Sequence, residues 1–209
     1  MNEALQTYIH HFVPAQEEGR PVLLLLHGTG GDENDLLSLG RMLSPGSALL
    51  SPRGNVLENG MPRFFRRFAE GILDVDDLKQ RTYELASFIQ AASEHYAFGA
   101  GNVIAVGFSN GANIAASMLL LRPQVLAGAY LSHPMVPFQP ESTQDLQQKP
   151  VLVASGRADV IIPTGQSEQL IELLRSNGAD VQEYWNNVGH TITHEEVREA
   201  RAWMEKHFQ

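Results

Sequence analysis

The chain has 209 residues, a formal net charge of −9 and no cysteine. This length suits one domain spanning residues 1–209, and a hydrophobic content of 43% excludes a wholly disordered chain. The lack of cysteine excludes disulfides, thiolate metal sites and a cysteine nucleophile, and the excess negative charge argues against nucleic acid or an anionic membrane as a partner.

The first ten residues, MNEALQTYIH, contain no basic segment followed by an apolar one, so no signal peptide is predicted. The aliphatic run Val22–Leu26 is too short to cross a bilayer. We therefore expect a cytoplasmic protein that does not associate with membranes.

Short apolar runs alternate with helix-length amphipathic segments along the chain. The predicted strands are 5–13, 22–27, 48–51, 102–107, 126–131, 151–155 and 181–185. The predicted helices are 34–42, 75–96, 111–121, 165–177 and 195–208. This alternation predicts an α/β fold with a mostly parallel sheet of about seven strands flanked by helices. Segments 52–73 and 133–149 are predicted to be long loops, which in compact domains are often functional.

The segment Gly107-Phe108-Ser109-Asn110-Gly111 matches the pattern G-x-S-x-G. The string alone is weak evidence, because short Gly/Ser patterns also arise by chance. Its context is more specific, since a buried strand leads into it and a helix of small residues leads out. This context is typical of a nucleophile elbow, a strained turn that exposes a serine Oγ at the edge of the sheet. The alternative is a Gly/Ser turn without chemistry.

A serine nucleophile needs a base, and the base needs an acid to orient it. Asp159 follows the predicted strand 151–155, and His190 follows the last predicted strand. Parallel strands place their carboxyl ends on one side of a sheet, so we expect both residues to lie beside Ser109. The sequence therefore predicts Ser109 as the nucleophile, His190 as the base and Asp159 as the orienting acid.

Other acids and histidines fit these roles less well. Asp145 lies in a polar loop, Asp180 lies at the wrong end of a strand, and His194 is predicted to begin a helix, although it remains an alternative base. The remaining candidates are interpreted as surface or packing residues: His10, His11, His95, His133 and His207. One reservation concerns His133, because it also follows a strand at the active edge.

An acyl-transfer site also needs N–H donors for the developing oxyanion. The backbone N–H of Asn110 is one candidate, and the glycine-rich loop His27-Gly28-Thr29-Gly30-Gly31 offers the N–H of Thr29 as the second. His27 is interpreted as a structural residue that orients this loop. The loop lacks the patterns of phosphate-binding loops, and no His/Asp/Glu cluster has metal-ligand spacing, so we expect neither a cofactor nor a metal.

These segments together resemble an α/β-hydrolase of the small phospholipase/carboxylesterase (acyl-protein thioesterase-like) family. The resemblance is carried, in family order over nearly the whole chain, by residues 25–33, 51–54, 107–111, 155–159 and 189–190. It implies a triad of Ser109, Asp159 and His190, an oxyanion hole at Thr29 and Asn110, and hydrolysis of carboxylic esters without a cofactor. Eukaryotic thioesterase members typically carry Gln where this chain has Asn110. The resemblance is therefore closer to bacterial carboxylesterases, and protein depalmitoylation is not carried over.

The two long loops are the clues to the substrate. Segment 52–73 interleaves arginines with phenylalanines, so Phe64 or Phe65 could form a wall of the substrate site while an arginine such as Arg66 meets a polar or anionic group. The alternative is that the phenylalanines fill the core and the arginines pair with nearby acids. Met135 and Ile161 adjoin strand ends, where they either line an apolar acyl site or simply pack.

Segment 133–149 occupies the position where many α/β-hydrolases insert a cap, and it is too short to be a cap domain. We therefore expect an open site and a serine carboxylesterase acting on short-chain or small aromatic esters. A thioesterase or lysophospholipase with the same residues is the close alternative, and a non-catalytic ligand-binding protein is the alternative of another class. A homodimer would be in keeping with such a family, although no segment identifies an interface.

Overall fold

The computed structural model of the protein describes residues 3–142 and 145–208. Its central element is a seven-stranded sheet, in which only the first edge strand is antiparallel to its neighbour. From one edge to the other the strands are β1 (His10–Val13), β3 (Ala48–Pro52), β2 (Val22–Leu26), β8 (Val103–Phe108), β9 (Gly128–Ser132), β10 (Pro150–Gly156) and β11 (Asp180–Asn186). The prediction of a mostly parallel sheet is confirmed.

Helices cover both faces of this sheet. One face packs against α2 (Val75–Tyr96), α3 (Asn110–Leu121) and α4 (Thr164–Ser176), and the other against α1 (Leu37–Leu43) and α5 (His194–Phe208). The architecture is that of an α/β-hydrolase. Residues 3–142 and 145–208 contain no separate cap domain.

Strand β2 explains why the central strands are apolar throughout. Leu24 and Leu26 lie in the core on one face of the sheet, and Leu23 and Leu25 lie in the core on the other. All four side chains are fully buried, and burial of a leucine side chain contributes about 2 kcal/mol. Because both faces are covered, a strand that alternated apolar and polar residues would bury polar groups on one face.

The predicted strand 5–13 is only partly a strand. Residues Glu3–Thr7 form a 3-10 helix, and β1 begins only at His10. Leu5 and Tyr8 are three residues apart, so one helical turn directs both toward the core beside α2. The ring of Tyr8 packs edge-on against Phe88 of α2 with a centroid distance of 5.1 Å.

Segment 52–73, predicted to lack regular structure, contains two hairpins. The first pairs β4 (Val56–Glu58) with β5 (Met61–Arg63), and the second pairs β6 (Arg67–Ala69) with β7 (Ile72–Leu73). Asn59 and Gly60 turn the first hairpin with φ values of 52° and 80°. An Asn-Gly pair is the sequence signal of such a turn, so this pair is the local signal from which the first hairpin could have been predicted.

Segment 133–149 contains no helix or strand among the residues that the structure describes, with Thr143 and Gln144 outside them. It is nevertheless anchored, because Leu146 is fully buried and its N–H donates to the carbonyl of Asn177. In the described part of the chain, no helix is both long and apolar enough to span a membrane.

Candidate active site

The carboxyl edge of the sheet brings together the three residues predicted as a triad. Ser109 follows β8, Asp159 follows β10 and His190 follows β11. His190 Nε2 lies 2.9 Å from Ser109 Oγ, and His190 Nδ1 lies 2.7 Å from Asp159 Oδ2. Because a carboxylate only accepts hydrogen bonds, Nδ1 carries a proton and Nε2 is left to accept from the serine hydroxyl.

The turn that holds Ser109 depends on its flanking glycines. Ser109 has a φ of 52° and a ψ of −111°, a sparsely populated conformation for a residue with a side chain. A Cβ on Gly111 would collide with the carbonyl oxygen of Leu26, and one on Gly107 would lie 2.6 Å from the carbonyl oxygen of Gly111. The strand and helix therefore approach too closely for any other residue at either position.

Asp159 is a fixed and ionised acceptor. Its side chain is almost fully buried, and Oδ1 accepts 2.9 Å hydrogen bonds from the N–H groups of Ile161 and Ile162. Burial alone would raise the pKa of Asp159, but the hydrogen bonds from Ile162, His190, His133 and Ile161 outweigh it and hold the pKa below its ordinary value.

The two predicted oxyanion donors flank the serine. Asn110 begins α3, where a backbone N–H has no partner within the helix. Thr29 lies in the loop after β2, next to Gly28, whose Cβ position would be 3.6 Å from that of Ser109. Within the described residues neither the Asn110 nor the Thr29 N–H donates a hydrogen bond, so both are free to bind an oxygen.

His27 holds this loop. Its Nε2 accepts a 2.9 Å hydrogen bond from the N–H of Gly54, so Nδ1 carries the proton and lies 2.6 Å from the carbonyl oxygen of Gly28. Burial lowers the pKa of His27 and keeps the ring neutral. These contacts agree with the orienting role predicted for this residue.

Two adjoining spaces open at this edge of the sheet, and the inner one borders Ser109. The inner cavity holds about 40 Å³ and is lined by Thr29, Arg63, Arg67, Glu70, Gly71, Leu73, Ser109, Asn110, Asn113, Met135, Ile161 and Ile162. The outer groove holds about 370 Å³ and is lined by Glu70, Gly71, Met135, Val160, Ile161, Pro163 and Gln166. The inner space is therefore small, the outer groove is larger, and polar as well as apolar residues line both.

Of the five residues predicted to bind substrate, two line the cavity and three do not. Met135 and Ile161 line both spaces. Phe64 and Phe65 have no exposed surface and pack in the core, as in the alternative interpretation. Arg66 is mostly exposed and pairs with acids at the start of α2, away from the cavity.

Arg63 and Arg67 are the arginines that reach the cavity. Arg63 is almost fully buried, donates to Thr29 Oγ1 and pairs with Glu58 at 3.2 Å. Glu58 also pairs with Arg67 at 2.8 Å. Burial and the neighbouring charge of Arg67 lower the pKa of Arg63 to about 10, although Glu58 opposes this. Spacing along segment 52–73 did not distinguish these arginines from Arg66, because a hairpin decides which side chains face inward.

The structure also adds His133 to the site. Its ring is fully buried, and Nδ1 lies 2.7 Å from Asp159 Oδ2, the oxygen that His190 also contacts. Ligand atoms around a tetrahedral metal at about 2.1 Å lie roughly 3.4 Å apart. The Nδ1 atoms of His133 and His190 lie closer than this to Asp159 Oδ2, at hydrogen-bond distance, so in this structure the three residues form a hydrogen-bonded cluster.

Comparisons with known proteins show the family of the chain. The model of the Phospholipase/Carboxylesterase family matches residues 9–208. The chain is 51% identical over 185 residues to the putative hydrolase MhqD of Bacillus subtilis (strain 168), an alignment covering 88% of this chain and 92% of the relative.

Solved structures are also similar. A Bacillus cereus carboxylesterase superposes with a TM-score of 0.93 at 48% identity, covering 95% of this chain and 93% of the other. A structure of YahD with malic acid superposes with a TM-score of 0.88 at 30% identity, covering 94% of this chain and 98% of the other.

Proposed function

The chain belongs to the phospholipase/carboxylesterase family and is an ester-hydrolysing enzyme, and from this we propose that it is a serine carboxylesterase acting through an acyl-enzyme on Ser109. His190 removes the serine proton during attack on the ester carbonyl and returns it to the leaving alcohol. Asp159 fixes the tautomer and orientation of His190. The N–H groups of Asn110 and Thr29 bind the oxyanion, and water completes the cycle.

One observation carries this proposal: the unbroken hydrogen-bond chain from Ser109 Oγ through His190 to Asp159, with two free N–H groups beside the serine. A neutral histidine with its proton on Nδ1 is the state required of a general base. Preorganised donors of this kind contribute roughly 3 kcal/mol each to stabilising the transition state.

We further propose that the substrate is small on one side of the ester bond. An inner cavity of about 40 Å³ admits only a short group next to Ser109. The outer groove presents exposed apolar side chains at its mouth, with Val160 93% and Ile161 40% exposed. This groove suits the larger, apolar part of the ester, with Met135 and Ile161 in contact with it.

The inner cavity also favours a polar or anionic group. Arg63 and Arg67 share a single carboxylate, Glu58, which leaves one positive charge unbalanced. Glu70 lies at the exposed rim, where solvent screens its charge. YahD has been solved with malic acid, a small dicarboxylic acid. Small esters that carry a carboxylate are accordingly the preferred class.

A fluorophosphonate probe tests the proposed nucleophile. We expect stoichiometric labelling of the wild-type chain, measured by intact mass, and none in Ser109→Ala. Ser117→Ala, on the same helix but in the core, is the matched control and should label. Labelling that survives Ser109→Ala would refute the nucleophile, and no labelling of the folded wild-type chain would favour a non-catalytic ligand-binding protein.

A p-nitrophenyl ester series of increasing acyl length tests the substrate size, with an acyl-CoA and a lysophospholipid as comparators. We expect kcat/KM to peak at short acyl chains and to fall as the chain outgrows the inner cavity. A peak at long chains, or on the acyl-CoA or the lysophospholipid, would favour the thioesterase or lysophospholipase alternative.

A further inference from the structure

We propose that His133 is a second histidine on the carboxylate of Asp159 and acts as a positioning residue. Its ring, doubly protonated between Asp159 and Glu196, limits the negative charge that Asp159 presents to His190. The inference rests on the proposed function, because it gives His133 a role in the same reaction.

The geometry makes the two histidines share one oxygen. Oδ2 of Asp159 lies 2.7 Å from Nδ1 of His133 and 2.7 Å from Nδ1 of His190. The other oxygen, Oδ1, is occupied by the backbone N–H groups of Ile161 and Ile162. Any change in the donor strength of His133 is therefore felt directly in the hydrogen bond that orients His190.

The partners of the His133 ring indicate that both of its nitrogens donate. Nδ1 faces the Asp159 carboxylate, and Nε2 lies 3.1 Å from the backbone carbonyl oxygen of Thr191. Neither partner has a hydrogen to give, so a neutral ring would leave one of its nitrogens facing an acceptor without a proton. A doubly protonated ring satisfies both contacts.

A second buried carboxylate balances this charge. Glu196 of α5 is fully buried, and its Oε2 lies 3.9 Å from His133 Nε2. Its Oε1 accepts hydrogen bonds from Tyr130 at 2.7 Å and Ser132 at 2.6 Å. With His133 neutral, Asp159 and Glu196 would be two buried anions with no cation between them, which is electrostatically costly.

The backbone at His133 is held in a conformation that a side chain disfavours. His133 follows β9 with a φ of 53°, and Ser109 follows the neighbouring strand β8 with a φ of 52°. Its N–H donates to the carbonyl of Ala154, and the N–H of Ser109 donates to the carbonyl of Ser132. A glycine would adopt this backbone conformation with less strain. The presence of a histidine is therefore explained by its imidazole and not by the turn.

This arrangement predicts the direction of a pH effect. The titratable groups facing His133 are Asp159 after β10, His190 after β11, Glu196 on α5 and Tyr130 on β9, the last through Glu196. The cation on His133 disfavours the protonated form of His190, whose ring centroid is 4.9 Å away.

The kinetic test compares His133→Gln with His95→Gln, a matched control at an exposed histidine. In His133→Gln the acidic limb of kcat/KM should move to higher pH by about half a unit or more. KM should stay nearly unchanged, because the side chain contacts Asp159 and does not line the cavity. An acidic limb that coincides with that of His95→Gln would overturn the proposal.

The second test measures the protonation of His133 in the wild-type chain itself and uses variants for assignment and comparison. ¹⁵N NMR of the histidine rings, assigned by the signal lost in His133→Gln, should show both His133 nitrogens protonated at neutral pH. In Glu196→Gln the second proton should leave at lower pH than in the wild type, because its balancing carboxylate is gone. One unprotonated His133 nitrogen in the wild type at pH 7 would overturn the proposal.

Failure of this inference can be told apart from failure of the proposed function. Fluorophosphonate labelling that is lost in Ser109→Ala but kept in His133→Gln tests the nucleophile alone. An unshifted acidic limb in a His133→Gln variant that still labels would count against His133 only. Labelling that persists in Ser109→Ala would count against the reaction itself, and so against both.

Discussion

The main-chain N–H of Phe64 donates a 2.8 Å hydrogen bond to Oδ1 of Asn110, the residue directly after the proposed nucleophile. The preceding residue, Arg63, donates to the hydroxyl of Thr29. Two consecutive residues at the end of the first hairpin thus contact both proposed oxyanion residues. The hairpin therefore helps to set the spacing of the two N–H donors, although it lies outside the central sheet.

Removal of the Asn110 side chain should destabilise the protein without removing the backbone donor. In Asn110→Ala the buried N–H of Phe64 loses its acceptor, so we expect the free energy of unfolding in urea to fall by about 1–3 kcal/mol. Asn187→Ala, at an exposed asparagine, is the control and should change little. Equal stabilities for the two variants would show that the Phe64 bond does not anchor the hairpin.

A methyl group at Gly111 should be far more damaging than one at Gly101. The Cβ of Gly111→Ala would collide with the carbonyl oxygen of Leu26 and lie 2.7 Å from that of His27, whereas Gly101 has no neighbour within 4 Å of its Cβ position. We expect urea denaturation to give a loss of about 3 kcal/mol or more for Gly111→Ala and less than about 0.5 kcal/mol for Gly101→Ala. Similar losses at both sites would contradict the close approach of α3 to β2.

His27 should make stability depend on pH below neutrality. Burial lowers its pKa from an ordinary value of 6.5, so below that pH the unfolded chain binds a proton that the folded chain does not. Stability contributed by neutral His27 is therefore present above pH 6.5 and is lost as the pH falls toward the folded pKa. The slope is at most about 1.4 kcal/mol per pH unit.

Urea denaturation at several pH values between 7.5 and the folded pKa would check this. The stability of His27→Gln should fall less steeply with decreasing pH than that of the wild type, and the control His95→Gln should keep the wild-type slope. A wild-type slope in His27→Gln would mean that the ring is not held neutral.

Arg63 and Arg66 should differ in their effect on substrate preference. Arg63→Met removes a buried charge from the inner cavity, whereas Arg66→Met removes one that pairs with Asp74 and Asp77 outside it. We expect the ratio of kcat/KM for a carboxylate-bearing ester to that for its neutral analogue to fall about tenfold in Arg63→Met and to stay unchanged in Arg66→Met. An unchanged ratio in both variants would reject the anionic substrate class.

The sequence by itself indicated the strands and helices of the central sheet and the order of the proposed catalytic residues along the chain. The apolar runs of β2, β8 and β10 and the glycines around Ser109 are local signals, because they follow from the burial of a strand on both faces and from the crowding of a single turn. Asp159 and His190 could be placed at the same edge of the sheet as Ser109, because parallel strands end on the same side. Leu5 and Tyr8 were assigned to a strand because a short apolar segment fits either period.

Only the tertiary structure decided which side chains share the site. His133 and Asp159 are 26 positions apart, and Arg63 and Thr29 are 34 apart, so no local pattern connects either pair. The hairpins of segment 52–73 turn Phe64 and Phe65 into the core and Arg63 toward the serine, a choice set by strand pairing and not by composition. The sequence marked the residues able to do the chemistry, and the packing of the sheet, hairpins and α5 fixed which of them could meet, because hydrogen bonds and ion pairs act only over a few ångströms.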